Sequence, residues 1–532
     1  MIRLFLLLPV AVALFAVFPL TDTDIWWHLA CAREWVTTWT PVREPIVNVH
    51  EFFQQTVAFV YNLGGAKLLV AFKAILWGFV FALFLWPSVQ NARYCHPESV
   101  KSATDLFWGR SSFLFNIAVC VFLLFIFRYQ FEMRPVLFSL LFLGIYWNIL
   151  PWFFKGARTR GPLVIPDLFQ VGIAFKFLAA FVILALQWLW CKCQGLYILG
   201  PIFALTVLAF EWWNSRRSGV QIPRKQLLWQ LAFVVLLFVI PFLHREGLNL
   251  FLYPFGLLDR LLGLSLSAAV FASEIAENRS PITLLIAGEN VLQSALMILL
   301  SAVAIVFVVY RLRLTFSTAR AGIHNFHVEC ANAFWLFVTA IIALIAERNF
   351  VLFLPVFFAV VYSARTPLSS KIYQLPIFNR ALPTVYFLLP TLLIAFIFGL
   401  WIKSLQSYDS MIAYQRVPVA ATEWMKSHSH PGRLFNDDRA GGYLAFMNPS
   451  DSTYIDGRFI LKTAAFFERY LSYSKYPQTF LHDAETQNID RVVLPLRYYA
   501  RWDKLLTILD SAENWHVAYR DSFFVVIDRT ER

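Results

Sequence analysis

The chain has 532 residues, of which 59% are hydrophobic and 15% charged, and its mean hydropathy is +0.60. Soluble globular chains average about 45–50% apolar and about 25% charged, so a soluble globule and a disordered chain are both excluded. The net charge of +12 does not mark a nucleic-acid surface, because the stretch from Lys403 onward carries 16 basic and 16 acidic side chains and the whole excess lies before it.

The fold class expected is a polytopic α-helical membrane protein with a small C-terminal extracytoplasmic α/β domain. Eleven apolar segments come near the roughly 20 residues a bilayer-spanning helix needs. The first is 4–20. It is read as a span and not a cleaved signal, because no small-x-small site follows and Asp22 and Asp24 come at once. Two carboxylates two residues apart at the outer face can converge on one cation or one hydroxyl. Charges beside hydrocarbon tend to be functional, although acids also simply solvate span ends. The loop 21–65 carries a short interfacial helix around Trp26, Trp27 and Trp35, with His28 among them, and a second amphipathic helix over 52–63. His50 and Glu51 open that second helix. Glu51 is either a second acid facing the same cavity or a glutamate that satisfies the helix dipole. Glu44-Pro45 reads as a turn.

Spans follow at 66–86, 112–127, 135–150 and 168–190, then at 195–213, 226–242 and 289–310, and last at 330–346, 350–362 and 383–402. Lys176 is taken as the ionisable residue within a span. Cys191 and Cys193 have no partner pair at zinc-site spacing. With the N-terminus inside, the inner loops hold 17 basic residues and only four acids, Glu98, Asp105, Asp167 and Glu329. That alternation follows the positive-inside rule and places the tail outside, in the periplasm of a Gram-negative cell. Outer-face arginines break the bias and want a reason. Arg134 and Arg348 stand at span starts, and Arg245 and Arg279 in the long outer loop 244–288. Guanidinium binds phosphate bidentately; the alternative is pairing with Glu132, Glu274, Glu277 or Glu347.

The chain divides into a membrane domain, 1–402, and a tail, 403–532. In the tail, helices are predicted over 419–427, 462–473, 478–487 and 502–510. Strands are predicted over 433–436, 454–456, 491–494, 517–520 and 523–528. Gly441-Gly442-Tyr443 reads as a turn leading into an apolar stretch. No GxGxxG, GxSxG or GxxxxGK motif occurs, so the tail is read as structural or acceptor-binding.

Asp22-Thr23-Asp24-Ile25-Trp26-Trp27-His28-Leu29 resembles the D-x-D-x-W-W-H-L run of a group of bacterial integral membrane proteins. These belong to the GT-C superfamily of polyprenyl-phosphate-sugar-dependent glycosyltransferases. The resemblance continues at His50-Glu51-Phe52, at Arg134 to Ser139, at Arg348-Asn349, at Phe435-Asn436, at Gly441-Gly442-Tyr443 and at Ile455 to Arg458. It implies that Asp24 and Asp22 are the catalytic base or ligands to Mg²⁺ or Mn²⁺, and Glu51 is kept beside them as the candidate second acid. It implies that outer-face basic residues hold the donor phosphate; Arg134 and Arg348 fall on motifs of the group, Arg279 and Arg245 are further candidates on the same side, and His28 and His50 are read as supporting. The partners implied are a polyprenyl-phosphate-sugar lipid, a glycan, lipid or protein acceptor, and membrane lipid. The location implied is the bacterial inner membrane. Two departures stand out. Lys192 and Gln194 replace an Asn and a His of the pattern, and His244-Arg245-Glu246-Gly247 replaces N-P-x-G. Alternative readings are a non-catalytic scaffold that presents the tail, and a transporter or flippase.

Overall fold

The computed structural model describes residues 2–43, 47–93, 103–154, 173–217, 219, 222–318, 326–363, 383–405, 410–497 and 500–530. The expected turn at Glu44-Pro45, the start of the segment at 168–190 and eight of the 17 basic inner-loop residues lie outside them.

Every one of the eleven predicted spans contains a helix. In chain order these are α1 (Ile2–Phe15), α3 (Glu51–Arg93), α4 (Ala103–Ile126), α5 (Val136–Phe154) and α6 (Ile173–Trp190). They continue with α7 (Leu199–Arg217), α8 (Arg224–Val239), α12 (Val291–Thr318), α13 (Phe326–Ile345), α14 (Phe350–Ser363) and α15 (Pro383–Leu405). Among the described residues, seven helices are long and apolar enough to cross a membrane, and two shorter apolar helices cover Leu114–Ile126 and Lys176–Trp190. The chain is an integral membrane protein with a helical bundle. In it α1 packs on α3, α3 on α5 and α14, and α12, α13 and α14 side by side. The second interfacial helix of the first outer loop is the opening stretch of α3. It is set off from the spanning stretch at Gly64-Gly65, where Gly65 has φ +64°, a left-handed conformation that favours glycine.

Two expectations about loops are corrected. The loop 244–288 is helical over α9 (Gly247–Leu262), α10 (Leu266–Glu274) and α11 (Pro281–Ile286). On α9, Leu248, Leu252, Phe255 and Leu258 are exposed at helical spacing, a face suited to lipid. In the tail, Gly441 and Gly442 do not form a turn. They lie inside α17 (Asp438–Met447), which Asp437 caps by accepting the Arg439 N–H at 3.1 Å.

The tail forms a four-stranded sheet in the order β1-β2-β4-β3, made from Arg433–Asn436, Ile489–Pro495, Trp515–Arg520 and Phe524–Arg529. β1 pairs parallel with β2, and the other two pairs are antiparallel. Helices α16 (Val419–Met425), α18 (Ala464–Lys475), α19 (Gln478–Thr486) and α20 (Asp503–Ser511) complete the unit. The strand expected over 454–456 is absent. The chain makes a single bridge instead, Thr38 to Thr453, because its partner is the first outer loop and not the sheet.

Candidate functional site

The short helix α2 (Asp24–Cys31) begins three residues after the first apolar segment, and every residue from Ile25 to Cys31 is buried. A helix buried all round must be enclosed on every side. Here the bundle covers one face through α3 and the tail covers the other through α17. This fixes where Asp22 and Asp24 stand. Arg134, at the start of α5, donates to Asp22 from Nε (2.6 Å) and Nη2 (3.1 Å). It donates to Glu277 from Nη1 (2.8 Å) and Nη2 (2.7 Å). Its fork is therefore filled by two carboxylates, each held bidentately. The Asp24 N–H donates to Asp22 Oδ1 at 3.2 Å. Asp24 itself is part-buried. Burial first, and then the negative charge of Asp22, pushes its carboxyl up to about 8. Glu277 goes the other way: burial opposes it, but the charge and hydrogen bonds of Arg134 hold it down at about 2.

The tail seats this helix directly. A Cβ at Gly442 would lie 2.7 Å from the Trp27 backbone nitrogen, so only glycine admits α2 there, and a Cβ at Gly457 would lie 2.3 Å from Asp24 Oδ1, so any larger residue would push the carboxylate aside. Asp456 and Arg458 flank Gly457 and pair with each other, both fully buried (2.6 Å). Arg458 also donates to the Trp35 carbonyl and to Thr37 Oγ1 (2.7 Å), while Thr37 Oγ1 donates to Asp456 Oδ2 (3.0 Å). Burial opposes it, but the Arg458 guanidinium holds the Asp456 carboxyl below the usual carboxylate range. Lys462 extends the clamp with donations to Thr38 Oγ1 (3.1 Å), Thr40 Oγ1 (2.7 Å) and the Pro41 carbonyl (3.1 Å). Trp39 Nε1 donates to the Leu434 carbonyl in β1 (2.9 Å). Sequence motifs more than 400 residues apart thus meet around one short helix.

The fold has counterparts among solved structures. The archaeal oligosaccharyltransferase AglB from Archaeoglobus fulgidus, solved in complex with an inhibitory peptide and a dolichol-phosphate, superposes with a TM-score of 0.50 at 13% identity. The match covers 92% of this chain and 69% of that one. The chain has the GT-C fold. ArnT from Cupriavidus metallidurans, solved bound to undecaprenyl phosphate, gives a TM-score of 0.47 at 13% identity over 99% of this chain and 97% of that one. No protein-family model matches the chain, and no curated protein matches it in sequence.

Within this GT-C fold the remaining predicted residues fall into two groups. Arg348, which precedes α14, stands near Asp24. It is exposed, its Nη1 donates to Asn278 Oδ1 (2.9 Å), and it adds positive charge at Glu277. Glu347 turns instead to the Tyr129 hydroxyl (3.2 Å). Arg279 is occupied by Glu289 (3.0 Å from Nη1), and Arg245 is exposed on the outer loop. Glu51 is 59% exposed and lies 3.3 Å from Lys192, which also binds Glu246 at 2.7 Å. The two departures from the family pattern therefore meet each other: the lysine in one loop pairs with the glutamate in the other. Gln194 accepts from Ser139 (3.2 Å) and from the Leu196 N–H (2.6 Å). His28 is buried between Trp27, His50 and Phe53. His50 Nδ1 donates to the Cys193 carbonyl (3.1 Å). Burial holds His28 well below the usual imidazole range and His50 at about 4, so both are neutral at pH 7.

Sequence reasoning passed over Lys73. It is fully buried in α3, donates to the Phe18 carbonyl (3.1 Å) and lies 3.9 Å from Glu132, whose Oε1 accepts from Thr21. The signal was present, a lysine inside an otherwise apolar span, and its partner is the glutamate two residues before Arg134.

The arrangement leaves no place for the expected divalent ion. Arg134 takes both oxygens of Asp22, and among the described residues no group of three His, Cys, Asp or Glu could hold a metal ion. Hard cations require about six oxygen ligands. As arranged, Asp22 and Asp24 do not fit Mg²⁺ or Mn²⁺.

Proposed function

We propose that the chain is a membrane glycosyltransferase that moves a sugar from a polyprenyl-phosphate donor to an extracytoplasmic acceptor. Its N-terminus is cytoplasmic, its tail lies outside, and the membrane is the bacterial inner membrane. The observation that carries the reading is the Asp24 carboxyl, raised to about 8 and placed beside an arginine-bound Asp22 at the end of the first apolar segment, within a GT-C fold. A general base works best when its pKa lies near the operating pH. The AglB structure that shares the fold holds a dolichol-phosphate and a peptide.

In this reading the acceptor hydroxyl or amide passes its proton to an Asp24 oxygen as it bonds to the sugar C1. The bond between C1 and the phosphate oxygen breaks, the polyprenyl phosphate leaves with the electron pair, and the configuration at C1 inverts. Arg348 takes the leaving phosphate, because its guanidinium is exposed whereas that of Arg134 is filled by carboxylates. The exposed apolar face of α9 lines the approach of the lipid chain.

The test is to incubate the purified protein with lipid-linked sugars extracted from bacterial membranes and to measure release of polyprenyl phosphate by mass spectrometry. Release by the wild type and none by Asp24→Asn supports the reading. No release by either, with no polyprenyl phosphate retained on native mass spectrometry, refutes it.

A further inference from the structure

We propose that the reaction needs no divalent metal, because the Arg134 guanidinium occupies the place of the cation between the acidic groups of the site. The inference rests on the transferase reading for its catalytic part; its structural part stands alone.

The ground is occupancy. A metal held at the first outer loop needs the oxygens of Asp22 as well as those of Asp24, and a further acid from another element to complete its shell. Glu277 is the acid that the fold supplies, on the segment between α10 and α11. Arg134 already binds both, with four hydrogen bonds of 2.6–3.1 Å, two to each carboxylate. A divalent ion could enter only by breaking a double fork in a partly buried setting, where the displaced guanidinium would need new acceptors. Charge supports the same conclusion. Asp22, Asp24 and Glu277 bring at most three negative charges and Arg134 and Arg348 two positive ones, so at most one negative charge is left over. The buried pair of Lys73 and Glu132 behind Asp22 is neutral. The site is therefore nearly compensated without an ion. Adding two more positive charges would leave Arg134 and Arg348 facing a cation in a low-dielectric corner. A fixed guanidinium does for the carboxylates what a metal does elsewhere. It fixes the orientation of Asp22, and through the contact from the Asp24 N–H to Asp22 Oδ1 it fixes the start of α2 and hence Asp24.

The experiment titrates the full-length protein in nanodiscs with Mn²⁺ and follows the free-ion signal by electron paramagnetic resonance. The wild type should bind no stoichiometric Mn²⁺. Arg134→Ala, or Arg134→Gln if the alanine variant does not fold, uncovers Asp22 and Glu277 and should bind about one ion per chain; adding Glu277→Gln should remove it. Sugar transfer by the wild type should change less than twofold in EDTA. The proposal is overturned if the wild type binds one Mn²⁺ that Asp22→Asn abolishes, or if a folded Arg134 variant still binds none. Loss of transfer in EDTA with recovery in Mg²⁺ or Mn²⁺ overturns it too. Absence of transfer with every donor would sink the transferase reading and leave the Mn²⁺ result to decide the place of Arg134.

Discussion

Two corners at the ends of the helical bundle's long loops are built alike. In one, Arg134 stands between Asp22 from the first outer loop and Glu277 from the long outer loop. In the other, Lys192 stands between Glu51 from the first and Glu246 from the second. Each is a cation bracketed by acids from the same two loops. They differ in depth and geometry. Arg134 makes four directed bonds, and Asp22 is only 6% exposed. Lys192 offers a point charge to a largely exposed Glu51. Geometry of the first kind fixes a neighbouring carboxylate, whereas the second chiefly ties two loops together. The comparison teaches that similar charge inventories have different uses when one cation is a directed fork and the other a point charge, even though Lys192 (15% exposed) lies deeper than Arg134 (30%).

The largest effect should come from Asp24→Asn. Loss of a general base lowers a rate by roughly 10²–10⁴-fold, while a single amide at this position leaves the protein able to insert and fold. Steady-state transfer and thermal unfolding of the same preparation check it. Full activity would take the chemistry out of the first corner. Next is Gly457→Ala, whose methyl would collide with Asp24 Oδ1. Misplacement of a reacting group by about 1 Å can lower a rate by about 10²-fold. Transfer should fall by about that factor with little change in donor binding, and an unchanged rate would show that Asp24 is not held by the tail.

Arg134→Lys should come third, with transfer lowered about tenfold, because an ammonium keeps the charge and loses the fork. The pH profile sharpens the same corner. The Asp24 carboxyl lies near 8, so it is protonated below that value and becomes the base above it. The acid limb of kcat/KM should therefore rise with pH through about 8. A limb below pH 5 would mean that the working base is another carboxylate. The smallest effect belongs to the second corner. Lys192→Met removes a part-buried point charge shared by Glu246 and the exposed Glu51, and because this tie lies outside the corner of Asp22, Arg134 and Glu277, transfer should stay within about twofold. A large loss would promote Lys192 from tie to participant.

The spans were legible because a run of apolar residues near bilayer length has few other uses. Asp22, Asp24 and Arg134 were each visible as charges out of place, but their union was not. The 112 positions between Asp22 and Arg134 carry no periodicity that relates them. Glu277 was readable only as one of four candidate partners for an arginine. Gly441 and Gly442 misled, since adjacent glycines favour turns when nothing else intervenes. Here the Ile455 backbone crosses at Gly441 and α2 at Gly442 so closely that glycine is required, and the packing offsets its poor helix propensity. The lysine and glutamine that depart from the family pattern could be seen as departures. That Lys192 meets Glu246 needed both loops in place.

The seat that Gly457 makes for Asp24 also sets a clock on biogenesis. Asp24 leaves the ribosome 433 residues before Gly457. At about 5–20 residues per second that gap is roughly 20–90 s. During it the bundle can insert and the acidic corner can gather around Arg134, but α2 has no outer cover. The first corner therefore stays unfinished until the tail's sheet has docked, and a ribosome that stalls anywhere in the tail yields a membrane-embedded product without a seated Asp24.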